Sequence, residues 1–365
     1  MNILKDFSYL KMAYALAEKA KGWVSPNPYV GAVIVRKDAI VGYGYHEAPG
    51  KPHAEIIALK RAASLSKKST AYITLEPCVH WGRTPPCVES IIQAGLKKVI
   101  VSALDPNPLV YKKGIKKIRE AGIDVSIGLL EEKNKVLNEF YLKYITQRIP
   151  FVTAKVAISL DGKIATKKFS SQWISSSGTR EYVHLLRGEY DAVMIGINTF
   201  IKDDPQLTVR HPSWKGKQIT RIILDSHLRF PLKAKILSTL NKGKIIVFTL
   251  EKSSRKKAET LKKKGVEVIS LPSSSEINLK EVLAYLGKME ISSLLVEGGG
   301  CLLTSIIEQN LIDKIFLSIS PKLIGGEKAP SFLQGEGVEF IKDSLALKRI
   351  HYFQIDEDII VEGYF

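Results

Sequence analysis

"AYITLEPCVHWGRTPPCVESIIQAGLKKVIVSAL" runs from Ala71 to Leu104. Its first five residues are β-branched, aromatic and small apolar types, which read as a buried strand. "KKVIVSAL", at the other end, reads as a second strand. Between them an apolar-periodic segment opens after Pro86 and stops at Gly95, a helix with a proline start and a glycine stop. A strand, a crossover helix and a strand make a parallel pair, so this stretch points to an α/β fold. The loop ahead of the helix holds two of the chain's three cysteines, Cys78 and Cys87, with eight residues between them. Alone, that pair fits a metal site, a disulfide, a redox couple or two small buried residues.

The pattern extends in both directions. Residues 7–20 carry helical spacing at Phe7, Leu10, Tyr14 and Ala17. "VGAVIVRKDAIVGYGYH" reads as two strands about a Lys37-Asp38 turn, and a helix starts near Ala54. After Leu104, "KKGIKKIREAG" is a helix stopped at Gly122 and "IDVSIGLL" a short strand. One helix, "EEKNKVLNEFYLKYITQRIP", closes the first half at Pro150. The second half opens on the strand "FVTAKVAISLDG". Further strands are expected at 191–196, 220–225, 244–249, 266–270 and 293–297, with helices between them. The tail "ALKRIHYFQIDEDIIVEGYF" predicts two antiparallel strands at a sheet edge. Two α/β domains follow, residues 1–149 with a largely parallel sheet and residues 150–365 with a mixed one.

The 365-residue length suits two domains, and 45% hydrophobic with 25% charged residues is a globular composition. No apolar run approaches membrane-spanning length. Asp6 interrupts the place of an export signal's apolar core, and three cysteines do not make a disulfide scaffold. A cytoplasmic protein without membrane attachment is expected. The net charge of +17 is spread, with 23 Lys and Arg against 13 Asp and Glu up to Pro150 and 31 against 24 beyond it. Scattered lysines such as those of "SRKKAETLKKKG" at 254–265 read as solvated faces rather than a nucleic-acid stripe.

Three short elements combine into a metal constellation. "HAE" at 53–55, "PC" at 77–78 and Cys87 supply His53, Cys78 and Cys87, the three-ligand set of a catalytic zinc that leaves a fourth position for water. Glu55 follows the histidine closely enough to take a proton from that water and pass it to a leaving amine. Both cysteines precede or open a helix, whose positive end favours thiolates. The second half carries "SLLVEGGGCLLTSIIEQ" at 293–309, a strand, a glycine cluster and a helix. Such a turn lets a phosphate approach backbone N–H groups, although the spacing is not Gly-x-Gly-x-x-Gly.

His-x-Glu with Pro-Cys and a second cysteine is the pattern of zinc nucleoside and base deaminases. Their usual Cys-x-x-Cys is replaced here by the long loop. "SPNPYVGAVIV", "HAEIIAL", "TLEPCVHWGRTPPC" and "DPNP" in this order resemble the deaminase half of the bifunctional riboflavin-biosynthesis deaminase/reductases. "AKVAISLDGKIA", "SSQWIS", "HLLRGEYDAVMIGINTFIKDDPQLTVR", "ILDSHLR" and "VEGGG" resemble the reductase half.

The resemblance implies a cytidine-deaminase-like three-layer α/β/α domain followed by a dihydrofolate-reductase-like α/β domain. It implies one zinc per chain and NADPH. The implied reactions are deamination of 2,5-diamino-6-ribosylamino-4(3H)-pyrimidinone 5′-phosphate, then reduction of the ribosyl group of 5-amino-6-(5-phosphoribosylamino)uracil to ribityl. The partner is that phosphorylated pyrimidine, with a homo-oligomer and no nucleic acid.

By the same resemblance, the cofactor positions are Ala157, Trp173, Thr199, Asp203, Ser226 and the run Gly299, Gly300, Cys301, Leu302, Leu303, Thr304 and Ser305. The reductase substrate positions are Ser171, Arg187, Leu207, Arg210 and Glu297, with the two arginines suited to a ribose phosphate. Deaminase substrate contacts are expected from Arg83, with Asn27, His46, His80, Thr84 and Asn107 as further candidates. Lys155 and Asp161 are candidate proton carriers for the reduction, with Asp161-Gly162 also reading as a turn. "VYKKG" at Val110–Gly114 departs from the family's Ala-Gly-x-Gly, which predicts a different turn or substrate contact there. A zinc editor of bases in RNA is the rival reading, and the chain lacks the aromatic stacking motifs such a protein needs.

Overall fold

The computed structural model describes residues 3–82, 84–272 and 275–365, and the chain divides into two compact units, Met1–Arg148 and Ile149–Phe365. In the first, α1 (Ile3–Ala17) leads into the hairpin β1 (Gly31–Arg36) and β2 (Ala39–Tyr45). The hairpin turns at Lys37 and Asp38, which both take positive φ, as a two-residue primed turn requires. There follow α2 (Ala54–Ala62), β3 (Thr70–Leu75), α3 (Cys87–Gln93), β4 (Lys98–Ala103), α4 (Lys113–Glu120), β5 (Asp124–Ile127), α5 (Glu131–Leu137) and α6 (Glu139–Gln147).

The sheet order is β2-β1-β3-β4-β5. It is parallel from β3 to β5 and antiparallel on both sides of β1, so the sheet is mixed rather than largely parallel. Alternation along the strands sorts side chains to two faces. Ala32, Ile34, Ile73, Val99 and Val101 pack with α2, α3 and α4, whereas Val33, Val35, Tyr72 and Ile100 pack with Leu10 and Ala13 of α1. The unit therefore has three layers.

The helix expected to run unbroken to Pro150 is two helices that meet at Asn138. That residue is fully buried. Its Oδ1 accepts from the Tyr29 amide at 2.7 Å and its Nδ2 donates to the Tyr29 carbonyl at 3.1 Å. A side chain pairing with backbone in this way displaces helical continuity.

The second unit begins with β6 (Phe151–Ser159) and α7 (Ser177–Glu189), then β7 (Ala192–Gly196), α8 (Ile197–Asp203), β8 (Thr220–Leu224) and β9 (Ile245–Leu250). It continues with α9 (Arg255–Lys263), β10 (Glu267–Leu271), α10 (Leu279–Lys288), β11 (Ser293–Val296) and α11 (Gly300–Glu308). It ends with β12 (Lys314–Ser320), β13 (Lys348–Ile355) and β14 (Asp358–Tyr364). The sheet order is β10-β9-β8-β7-β11-β6-β12-β14-β13, parallel up to β12 and antiparallel over the last two pairs.

Sequence reading placed no strand at 314–320. "KIFLSIS" mixes serines with apolar residues, and its Ser318 and Ser320 are buried in the sheet interior. α10 and α11 cover one face of the sheet, and α8 and α9 the other. The N-terminus of α7 is held by two carboxylates of the β13–β14 turn. Asp358 Oδ2 accepts from the Ser176 amide and Asp356 Oδ2 from the Gly178 amide, each at 2.8 Å, a favourable place for negative charge.

Candidate functional site

His53 is the N-cap of α2, with extended backbone. Cys78 follows the end of β3, and Cys87 opens α3. Their ligand atoms all lie within 4.8 Å of one another. His53 Nδ1 is 3.1 Å from Cys87 Sγ and 3.6 Å from Cys78 Sγ. The amide of Cys87 donates to Cys78 Sγ at 3.4 Å, so both sulfurs share the start of α3. The hydrogen bond with Cys87 draws the Cys78 thiol down to about 4, while the same bond and burial push Cys87 up. His53 is raised, first by its bond to Cys78. One imidazole and two converging sulfurs, one of them with its pKa drawn down, are a donor set that fits zinc.

Glu55, in the first turn of α2, is buried, and its Oε2 has no hydrogen-bond partner among the described residues. Burial raises its pKa, against a downward pull from His53. A buried carboxyl that holds its proton more tightly than usual and keeps one oxygen without a partner among the described residues is suited to acid–base work.

The expected substrate contacts divide on inspection. Thr84 Oγ1 is 3.0 Å from His53 Nε2, so the threonine holds the far side of the ligand imidazole. That arrangement fixes which nitrogen faces the sulfurs. Asn27 Nδ2 and His46 Nε2 are 2.9 Å apart, and the His46 ring meets His53 edge-on at 5.1 Å. The His80 Nδ1 atom is buried without a partner among the described residues. Asn107 Oδ1 accepts from the Leu109 amide, which makes it a turn residue. Arg83 lies outside the described residues.

The Val110–Gly114 departure resolves into a local brace. Glu76, two residues before Cys78, accepts from the amides of Gly114 and Ile115 on Oε1 (3.0 and 3.2 Å). Its Oε2 accepts from those of Lys112 and Asp105 (3.0 and 3.4 Å). A Cβ on Gly114 would lie 2.2 Å from the Pro77 carbonyl oxygen, so only glycine allows that approach.

The second constellation gathers at the carboxyl ends of β6, β7 and β11, the usual place for a site in an open α/β sheet. Arg187 of α7 donates Nε and one terminal nitrogen to the two oxygens of Glu297 at 2.7 and 2.9 Å. Its other terminal nitrogen donates to the Thr208 carbonyl at 2.8 Å. Both side chains are largely buried. Arg187 and Glu297 were expected as separate substrate grips, yet each is the other's partner. Arg210 is exposed and has no ion-pair partner among the described residues. Lys155, on β6, is lowered chiefly by burial and also by Arg187, with Glu297 opposing.

Asp161 accepts from Ser159 Oγ at 2.6 Å and from the amides of Ile324 and Gly325 at 3.0 and 2.7 Å. These bonds hold its carboxyl down to about 2. It is a turn anchor, the second of the two readings the sequence allowed. Leu207 is buried in the core with positive φ, so it offers a ligand only backbone.

Gly299 caps α11, and a Cβ there would lie 2.9 Å from Thr199 Oγ1. The glycine thus brings the start of α11 against α8, which also carries Asp203. Within the glycine-rich run, Leu303 is buried and the Thr304 hydroxyl accepts from the Gln334 amide at 2.7 Å. Cys301 Sγ bonds Gln334 Oε1 at 3.1 Å. What remains for a ligand is the first-turn backbone at Gly300, Cys301 and Leu302, with Ser305 half-buried on the next turn. Ala157 shares the half-buried face of β6 with Lys155. Ser171 and Trp173 lie beyond β6. The Trp173 ring is exposed beneath the Arg180 guanidinium, and its carbonyl accepts from Lys322 Nζ at 2.9 Å. Ser226 follows β8, and its carbonyl accepts from Ser253 Oγ.

The model of the cytidine and deoxycytidylate deaminase zinc-binding region matches residues 4–103, and that of the RibD C-terminal domain matches residues 150–361. The riboflavin biosynthesis protein RibD of Aquifex aeolicus (strain VF5) is 47% identical over 356 residues, 98% of this chain and 97% of that one. RibD of Escherichia coli (strain K12) is 36% identical over 94% of this chain and 95% of its own. Acinetobacter baumannii RibD, form 1, aligns with a TM-score of 0.89 at 36% identity, covering 100% of this chain and 99% of that one. The chain belongs to the RibD family.

RibD proteins are bifunctional deaminase–reductases of riboflavin biosynthesis, and membership makes this chain a hydrolase and an oxidoreductase in one polypeptide. Zinc and NADPH are the corresponding cofactors. The Thermotoga maritima relative, with a TM-score of 0.86 at 34% identity over 99% of this chain and 98% of its own, is described as a diaminohydroxyphosphoribosylaminopyrimidine deaminase/5-amino-6-(5-phosphoribosylamino)uracil reductase. No helix among the described residues is long and apolar enough to cross a membrane. Sequence reading overlooked His184, which lies between Arg187 and Arg210. Its place three residues before Arg187, on the same helix face, was the available signal.

Proposed function

We propose that the first unit deaminates 2,5-diamino-6-ribosylamino-4(3H)-pyrimidinone 5′-phosphate. The second unit then reduces the ribosyl group of 5-amino-6-(5-phosphoribosylamino)uracil to ribityl. The observation that carries this reading is the convergence of His53, Cys78 and Cys87 beside a buried Glu55 oxygen without a partner. Zinc, when bound, supplies Lewis-acid chemistry that makes water a nucleophile near neutral pH. His53, Cys78 and Cys87 would hold it, and Thr84 would orient His53. Glu55 takes the proton of the attacking water at Oε2 and returns it to the leaving amine. Asn27 and His46, whose ring meets His53 edge-on, together with His80 are the side chains we expect to meet the pyrimidine nucleotide.

In the reductase, NADPH when bound supplies the hydride. The first-turn backbone of α11, with Thr199, Asp203, Ser226, Ala157 and Trp173, would hold the cofactor. Arg210 binds the phosphate, and the Arg187–Glu297 pair shapes the pocket for the ribose. Of the two proton carriers named from the sequence, we assign the role to Lys155, because the Asp161 carboxylate is taken up by Ser159 and the amides of Ile324 and Gly325. Domain boundaries at 149 and 150, a homo-oligomer and a cytoplasmic location, where the Cys78 and Cys87 thiols stay reduced, belong to the same reading.

The test follows ammonia release and NADPH oxidation in one sample of zinc-loaded enzyme. Chelation of zinc should stop ammonia release from the diaminopyrimidine nucleotide. It should leave NADPH oxidation intact when the deaminated nucleotide is supplied directly. Ammonia release that survives complete zinc removal would overturn the assignment of the first site.

A further inference from the structure

We propose that His184 is itself a phosphate ligand in the reductase site, donating its Nε2–H to the same substrate phosphate that Arg210 binds. The inference rests on the reductase reading above and concerns a side chain that reading does not use. His184 lies on α7, one turn before Arg187, and is half-buried. Its Nδ1 is 3.4 Å from a terminal nitrogen of Arg187, and its Nε2 is 3.5 Å from a terminal nitrogen of Arg210. The charged groups around it are Arg187, Arg210 and Glu297, and Lys155 acts in turn on Glu297.

Guanidinium nitrogens only donate, and a neutral imidazole has a single acceptor nitrogen. The ring can therefore accept from one of the two arginines and not from both. The shorter contact gives Nδ1 to Arg187. The same Arg187 nitrogen donates to the Thr208 carbonyl at 2.8 Å, and the rest of its fork is paired with Glu297. Arg187 is thus fully occupied, and it fixes the ring from the Nδ1 side. The ring proton is then on Nε2, facing Arg210. Burial first, then Arg187 and Arg210, holds His184 down to about 4, so the ring carries that one proton at neutral pH.

An N–H and a guanidinium that face each other at 3.5 Å are two donors in need of a shared acceptor. Glu297 does not provide it, because both its oxygens are taken by Arg187. Apart from His184, Arg210 meets only Thr208 Oγ1, also at 3.5 Å. Donors gathered in this way fit a ligand that brings acceptors and negative charge together, and a phosphate monoester offers three such oxygens. Arg210 supplies the charge, and the ring adds a neutral donor with a fixed direction.

The test uses full-length enzyme, NADPH, the deaminated nucleotide and its dephosphorylated counterpart. His184→Asn keeps an acceptor near the Nδ1 position for Arg187 and removes the donor at Nε2. It should raise KM for the phosphorylated substrate about tenfold, the value of one hydrogen bond to a charged group. KM for the dephosphorylated substrate should move by less than about twofold, below the size of one such bond. His184→Gln, whose NH2 reaches the Nε2 position, should restore most of the preference for the phosphorylated substrate. His184→Glu sets a carboxylate against the phosphate and should lose more of that preference than His184→Asn. In an Arg210→Ala background, His184→Asn should still raise KM severalfold, because the ring holds the phosphate directly rather than through Arg210. A parental KM in His184→Asn, an equal loss on the dephosphorylated substrate, a Glu variant that matches Gln, or no further loss in Arg210→Ala would each overturn the proposal. Should His184→Asn not fold, the order of Gln over Glu decides it. Wild-type enzyme that fails to oxidise NADPH with either substrate would instead sink the reductase reading itself.

Discussion

Glu55 in the first unit and Glu297 in the second are both carboxylates taken largely out of water, and they are satisfied in opposite ways. Glu55 keeps an oxygen with no partner among the described residues, beside a histidine and two sulfurs. Glu297 gives both oxygens to Arg187, which draws its pKa down despite burial. Burial without a partner makes a carboxyl hold its proton more tightly and leaves an oxygen open to water or substrate. Burial with a bidentate arginine fixes a charge as part of the framework. The same residue type therefore serves as a moving part in one site and as scaffolding in the other.

The comparison breaks most visibly at Glu55. Glu55→Gln should cut deamination about a thousandfold, roughly 4 kcal/mol of barrier, with zinc content and NADPH oxidation retained. Metal analysis beside an ammonia assay checks this, and near-normal ammonia release would remove Glu55 from its role. Glu297→Gln should behave differently, because it strands a buried guanidinium. A loss of about 3 kcal/mol of stability in denaturant unfolding is expected, together with loss of reduction. Replacing both Arg187 and Glu297 by methionine should return most of the stability without the activity. If the single and double variants are equally stable, the pair is not framework.

The smallest effect is expected at a third glutamate. Glu76→Gln would turn an amide NH2 toward backbone donors, at a cost of about 2 kcal/mol. It should also weaken zinc affinity measured by chelator competition, because Cys78 is two residues away.

How much of this was readable in the sequence follows the same division. The metal set stood out because cysteine is scarce in this chain and each ligand lies at the edge of a predicted element. The apolar run Ala32–Val35 gave a strand, but not which of its residues face each side of the sheet. The Arg187–Glu297 pair was not readable, because its members are 110 residues apart and either alone looks like a ligand contact. Asp161 was ambiguous for a related reason. Its turn is local, but the amides that hold it come from Ile324 and Gly325 on a distant loop. β12 and the break at Asn138 were missed because tertiary partners, buried serines in one and the Tyr29 backbone in the other, override the local pattern.

Glu76 also joins two equilibria. Its carboxylate fastens the strand end that delivers Cys78 to the amides of Lys112, Gly114 and Ile115, 36 to 39 residues further along. Reciprocity then applies in both directions. Whatever loosens that turn lowers affinity for the metal, and metal bound at Cys78 slows solvent exchange at those three amides. The exchange rate of a backbone turn without any ligand atom of its own thus becomes a gauge of how full the metal site is.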